Sequence, residues 1–191
     1  MKPTSLITFA AVAILSLAPA FSQNGPAFGP KGPRNQPPTV YAPPSAAEIE
    51  ALQFMREEEK LARDVYRFLF ERWNYSTFER IAASEQQHFE AIGNLLTRHN
   101  IPDPAAADLP GVFANPDLAT LYAELTAKGA ISLKDALEVG VAIETVDIAD
   151  LEAALPGARF DIKRVFTNLM NASLNHLEAF ESCLALLTAA N

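Results

Sequence analysis

Apolar residues recur at helical spacing along four long stretches of this chain, and each apolar stripe is broken near its middle by an acid or a histidine. Counting outward from Glu59, positions −7, −4, +3, +7 and +10 are Leu52, Met55, Ala62, Tyr66 and Leu69. The same offsets from Glu85 give Phe78, Ile81, His88, Ile92 and Leu95. Leu137, Ile143, Glu144, Leu151 and Leu155 share a face with Asp147, and Val165, Leu169, Phe180, Leu184 and Leu187 share one with His176. A period near 3.6 marks a helix that buries one side. Start signals sharpen the limits. Ser45-Ala-Ala-Glu48, Ser76-Thr-Phe-Glu79 and Ser132-Leu-Lys-Asp135 fit the capping pattern, and Asn115-Pro116-Asp117 places a cap, a proline at the first helical position and an acid near the positive dipole end. Gly129 and Pro156-Gly157 read as stops.

The pattern therefore predicts helices over about 45–72, 77–99, 116–128, 132–155 and 159–189, with a proline-punctuated loop at 100–115. No segment alternates with period two for long enough to form a strand. Two long helices, a long connection and two more long helices is the layout of an all-α four-helix bundle with one crossover, the short helix lying within that crossover.

What precedes the helices changes the address rather than the fold. Residues 6–18 form an apolar run of 13 after a weakly basic start, and Ala18-Pro19-Ala20 and Ala20-Phe21-Ser22 offer small-residue cleavage sites. Residues 1–22 thus read as a secretory signal peptide, too short to span a bilayer. Residues 23–44 hold seven prolines and no acid, the composition of a spacer. Residues 45–191 form the folded domain. The expectation is an exported protein, secreted or periplasmic, with no membrane span after cleavage. From Ser45 onward 12 Lys and Arg face 23 Asp and Glu, which argues against a nucleic-acid partner and suits cation capture. Cys183 is the only cysteine, so neither an intramolecular disulfide nor a Cys-x-x-Cys metal knuckle can form.

The acids and histidines on the seams carry the chemistry. A charge on the buried side of a helix needs a partner, because an unpaired one costs several kcal/mol, roughly. One cation layer would satisfy Glu59, Glu85, His88, Glu144, Asp147 and His176 together. Glu59 precedes Glu85 by 26 residues and His88 by 29, and Asp147 precedes Ser173 and His176 by the same intervals. Two helix pairs of equal geometry would bring these groups to similar heights. A buried polar network without metal is the competing reading. Glu57 and Glu58 fall off the seam and read as a solvated face. His99, at the end of the second helix, reads as facing the dipole or solvent. Tyr66 reads as core, or as a hydrogen-bond donor to a ligand carboxylate.

The stretches MREEEKLARDVY (55–66), FERIAASEQQHFEAIGNLL (78–96), DALEVGVAIETVDIADL (135–151) and NLMNASLNHLEAF (168–180), with IPDP at 101–104, resemble the ferritin-like superfamily. In particular they resemble an uncharacterised exported prokaryotic group, domain of unknown function 2202. The polar residues are similar in pattern to rubrerythrin-like di-iron proteins. That resemblance implies Glu59 as the ligand from the first helix, Glu85 and His88 from the second, Glu144 and Asp147 from the third and His176 from the fourth. The glutamate expected three residues before the last histidine is Ser173, so one carboxylate is missing. The cysteine-bound iron module of rubrerythrins has no counterpart here.

Four carboxylates and two imidazoles suit iron, with manganese or zinc as alternatives. The expected function is an exported ferritin-like metal-binding protein with a di-iron or mixed-metal centre, oxidising Fe(II) with O2 or peroxide. The alternative is a non-catalytic exported helical module holding one structural metal or none. A homo-oligomer is compatible with either.

Overall fold

The structure, a computed structural model, describes residues 43–189. The expected signal peptide and nearly all of the proline-rich segment lie outside the described residues. Among the described residues there are five helices and no strand: α1 (Ala46–Trp73), α2 (Ser76–Arg98), α3 (Pro116–Gly129), α4 (Leu133–Ala154) and α5 (Phe160–Ala189).

Local chemistry sets most of the limits. Ser45 and Glu48 form a reciprocal capping box, Asn115 accepts from the Asp117 amide with Pro116 opening α3, and Ser132 accepts from the Asp135 amide. α1 ends at Asn74 in the left-handed region (φ 49°), and Gly157 (φ 78°) turns the chain between α4 and α5. One sequence expectation fails. Ser76 is the first residue of α2 rather than its cap; Tyr75 holds the cap position and makes no side-chain cap bond. Gly129 ends α3 as expected, with Ala130 in the cap position. Its lack of a side chain lets α1 approach, since a Cβ there would lie 2.5 Å from Leu69 Cδ2, and Trp73 Nε1 donates to its carbonyl at 2.8 Å.

α1 packs along α2 and α4 along α5; contacts of α1 with α4 and of α2 with α5 close the four long helices into a ring, and α3 lies against α1 and α4. The short α1–α2 and α4–α5 connections make each pair an antiparallel hairpin.

α1 has no solvent face at its centre: every residue from Met55 to Tyr66 is buried. The inner side meets α2 and α4. The outer side is covered by the crossover 101–115, held by charged side chains. Arg56 pairs with Asp103, Arg63 with Asp108, Lys60 donates to the Leu109 carbonyl, Asp64 accepts from the Gly111 amide, and Glu57 accepts from the Ala114 and Asn115 amides. Glu57 is thus no solvated residue. A helix covered on two sides carries two buried faces, and the outer one is polar because it caps an irregular loop whose backbone needs partners.

Two apolar clusters fill the ring. One is built around Tyr66, Leu69, Phe78, Leu137 and Phe180, the other around Leu52, Met55, Ile92, Leu95, Phe166 and Leu169. The acids and histidines of the seams lie between them.

Candidate metal centre

The period of each helix brings Glu59 (α1), Glu85 and His88 (α2), Glu144 and Asp147 (α4) and His176 (α5) into this layer, all buried. Glu85 is the hub. Its Oε2 lies 2.7 Å from His88 Nδ1 and its Oε1 2.7 Å from His176 Nδ1. His88 Nδ1 also lies 3.2 Å from Glu59 Oε2, and His176 Nδ1 3.5 Å from Glu144 Oε2. The two imidazole rings stack with centroids 5.6 Å apart.

Two groups of donor atoms lie within 4.8 Å of one another: Glu59, Glu85 and His88, and Glu85, Glu144 and His176. Glu85 belongs to both. Asp147 belongs to neither, although it shares the layer. Ser173 Oγ donates to Asp147 Oδ2 at 2.5 Å, so the residue standing where the resemblance implied a glutamate ties down a neighbouring acid. Tyr66 Oη donates to Glu144 Oε1 at 2.7 Å while its ring packs in the core, so both sequence readings of it apply.

Sequence reasoning missed Glu58. It is buried on α1 beside Asp147 and Asp150 of α4, not on a solvated face. The signal available was Asp150, the third acid of the Glu144-x-x-Asp147-x-x-Asp150 series on α4. His99 also departs from expectation: its Nε2 lies 2.8 Å from Asp161 Oδ2, pairing the end of α2 with the start of α5 away from the centre.

Burial and like charge dominate the electrostatics. Burial pushes the Glu144 carboxyl up to about 8, with Glu85 adding to it and the His176 and Tyr66 contacts opposing it. Burial likewise lifts Asp147 to about 7 against the pull of the Ser173 bond. Glu59 is raised well above the carboxylate range by burial, then by Asp147 and Glu85. Glu85 goes the other way: burial would raise it, but the two imidazoles beside it bring it down to about 2. His176 is disfavoured as a cation by burial, yet Glu144 and Glu85 raise it to about 10. At neutral pH the metal-free layer therefore holds protons on Glu144 and His176, with Asp147 near its midpoint, beside an ionised Glu85.

The donor set fits a cation. Among the described residues, the buried side-chain atoms without an aligned hydrogen-bond partner are Glu58 Oε2, Glu59 Oε1, Glu85 Oε1, Asp147 Oδ1 and His176 Nδ1, and all five belong to this layer. Glu85 Oε1 and His176 Nδ1 are close enough to attract each other but not aligned to bond. Each unsatisfied buried group costs about 1–3 kcal/mol, more when charged. Three of these atoms belong to Glu59, Glu85 and His176 of the two donor groups, where a cation would give them partners.

The sequence profile of the uncharacterized protein domain DUF2202 matches residues 48–187. An uncharacterized protein of Methanocaldococcus jannaschii, MJ0754, is 51% identical over 139 residues, covering 72% of this chain and 75% of its own. The crystal structure of hypothetical protein MJ0754 superposes with a TM-score of 0.75 at 48% identity, covering 78% of this chain and 85% of that one. A DUF305 fragment from Deinococcus radiodurans shares the fold alone, with a TM-score of 0.57 at 18% identity over 75% of this chain and 99% of the fragment. With the central acids, the histidines and nearly all of the five helices inside the matched span, this chain is a member of the DUF2202 family.

Proposed function

We propose that this chain is a ferritin-like metal-binding protein, exported by its amino-terminal segment, whose central layer holds a pair of transition-metal ions and oxidises Fe(II) with O2 or peroxide. The observation that carries the reading is Glu85, a fully buried carboxylate shared by two donor groups, each completed by one imidazole and one further carboxylate. A shared carboxylate is what a two-ion site requires. Mixed oxygen and nitrogen donors favour iron, manganese or zinc over calcium or magnesium. Iron in such a site supplies one-electron redox chemistry, Fe(II) losing an electron while the oxidant is reduced.

The chain's own residues do the rest. Glu59 with His88 and Glu144 with His176 hold the two ends of Glu85. Tyr66 fixes the orientation of Glu144. The protons stored on the raised acids leave when a cation takes their place. The two apolar clusters keep bulk water from both ends of the layer.

A second reading, a non-catalytic module with one structural ion, draws on Ser173. That residue offers no carboxylate and occupies one oxygen of Asp147, which leaves the α5 side with a single histidine. Metal analysis of the full chain separates the two. About two ions per chain after growth with iron and manganese supports the pair, one supports the structural ion, and fewer than ~0.2 overturns the pair in favour of a non-catalytic module without metal, since assembled sites retain metal strongly. The double variant Glu85→Ala/His88→Ala is expected to lose metal and Fe(II) oxidation while keeping its helix signal. Oxidation persisting in that variant would overturn the assignment.

A further inference from the structure

Two acids of the central layer, Asp147 and Glu58, fall outside both donor groups, and each keeps one buried oxygen without a partner. They are not isolated. On α4, Glu144, Asp147 and Asp150 recur every third residue, rising about 4.5 Å per step, ~9 Å in all, while turning about 60° per step from the buried face toward the helix flank. Glu58 on α1 lies against the outer two of these, Asp147 and Asp150. Asp147 in turn is the acid that acts most strongly on Glu59, inside the first donor group. At the other end of the series, Asp150 is half-buried and forms part of the wall of a surface groove of about 390 Å³ between α1 and the α4–α5 turn, together with Phe54 and Met55. Phe54 is one helical turn from Glu58. Asp150 thus links the groove wall to Glu58, and Asp147 lies between Glu58 and the inner cluster.

The two ends of the ring and the outer face of α1 offer no such free acids. Along the ring axis the layer is closed by the Tyr66, Phe78 and Phe180 cluster on one side and by the Leu52, Ile92 and Leu169 cluster on the other. The outer face of α1 is covered by the crossover, whose acids are taken by Arg56 and Arg63. A bare divalent ion cannot cross an apolar layer, because loss of its hydration would go uncompensated. Ser173 holds Asp147 by Oδ2, which leaves Oδ1 as the free end.

We propose that Asp150, Glu58 and Asp147 form the loading route by which a divalent cation passes from the α1–α4 groove to the inner cluster, with Glu58 as the hand-over ligand. The proposal rests on the inner cluster being a metal centre. Glu58 takes part in transfer and not in the final coordination, so its removal slows uptake without reducing the amount bound.

The test mixes Mn(II) with chelator-stripped full-length protein, follows the free Mn(II) electron paramagnetic signal with time, and measures bound manganese at equilibrium. Glu58→Gln and Asp150→Asn are expected to load about ten-fold more slowly than the parent, the scale on which local charge governs ion capture. Both are expected to reach the parent's final content. Glu152→Gln removes the same charge from an exposed position of α4 and is expected to load at the parent rate. Asp150→Asn sits at the half-buried mouth and reports on the route even if Glu58→Gln fails to fold. Parent-like rates in folded variants overturn the route while leaving the metal centre standing. Equal slowing in Glu152→Gln also overturns it, in favour of a general field effect. A lower final content in Glu58→Gln overturns it by making Glu58 a resident ligand. A parent chain that takes up no Mn(II) removes the metal centre itself, and the route with it.

Discussion

Tyr66 shows how one hydroxyl ties the core to the site. Its ring packs against Phe180 and Phe78 in the apolar cluster, while its Oη donates to Glu144. Tyr66→Phe keeps the ring and removes the donor, leaving a buried carboxyl oxygen short of a partner. The metal-free protein is expected to lose about 1–3 kcal/mol, read as a lower urea midpoint. Mn(II) affinity is expected to fall about ten-fold or more, because a ligand carboxylate without its supporting bond is less well oriented. An unchanged affinity would make Tyr66 a packing residue only. At this scale the sequence was legible where polar groups interrupted an apolar stripe: the six seam residues were readable because each broke a period. Glu57 and Glu58 were not, because being off the main stripe implies solvent only for a helix with one buried side. α1 has two, and nothing in the local pattern Glu57-Glu58-Glu59 says that a loop covers the far side.

Helix limits followed from capping chemistry wherever a side chain reached a backbone amide, as at Ser45, Asn115 and Ser132. They were less legible at Ser76, where the chain turns so tightly after Asn74 that the residue before the serine takes the cap position. Close approach between helices left a different trace, glycine inside a helix. Gly140 lies in α4 facing Phe180 of α5, and a Cβ there would come within 2.7 Å of the ring. That ring cannot retreat, since Tyr66 and Phe78 hold it on its other sides at 5.2 and 5.6 Å between centroids. Gly140→Ala gains helix propensity of about 1 kcal/mol at most, against overpacking of about 1–3 kcal/mol. Packing is expected to win, so thermal unfolding should begin earlier than in the parent. A more stable Gly140→Ala would show that α4 and α5 can separate freely. On the outer side of α1, Arg63 bridges Asp64 and Asp108 from a fully buried position. Arg63→Ala leaves Asp64 buried with Lys60 as its remaining cation, and breaking such a pair costs about 3–5 kcal/mol. The crossover is expected to become sensitive to proteolysis near Asp108 while the helix signal persists; protection equal to the parent's would mean that backbone contacts alone hold the strap.

For the whole molecule, the central layer makes stability a function of pH whose steepness depends on metal. Glu144 rises from an ordinary 4.5 to about 8 and Asp147 from 3.8 to about 7, so the folded state holds protons that the unfolded chain releases. His176 rises from 6.5 to about 10, with the same consequence. For each of these groups the folded state is favoured most below the unfolded value, and the advantage is lost as pH climbs through the folded one. Glu85, lowered from 4.5 to about 2, opposes them only in acid: its contribution is complete above the unfolded value and lost as pH falls toward the folded one. The melting temperature of chelator-stripped protein is therefore expected to fall steadily from about pH 5 to about pH 9. A bound cation replaces the stored protons, so its affinity, and the stabilisation it confers, grows as those protons become easier to remove. With saturating Mn(II) the two melting curves are expected to converge near pH 5 and to separate progressively toward pH 8. A constant separation would mean that binding releases no protons and takes place outside the layer. Identical curves would mean that the five unpartnered atoms are tolerated without an ion, and the acids between the two apolar clusters would then be a purely structural network held together by protons.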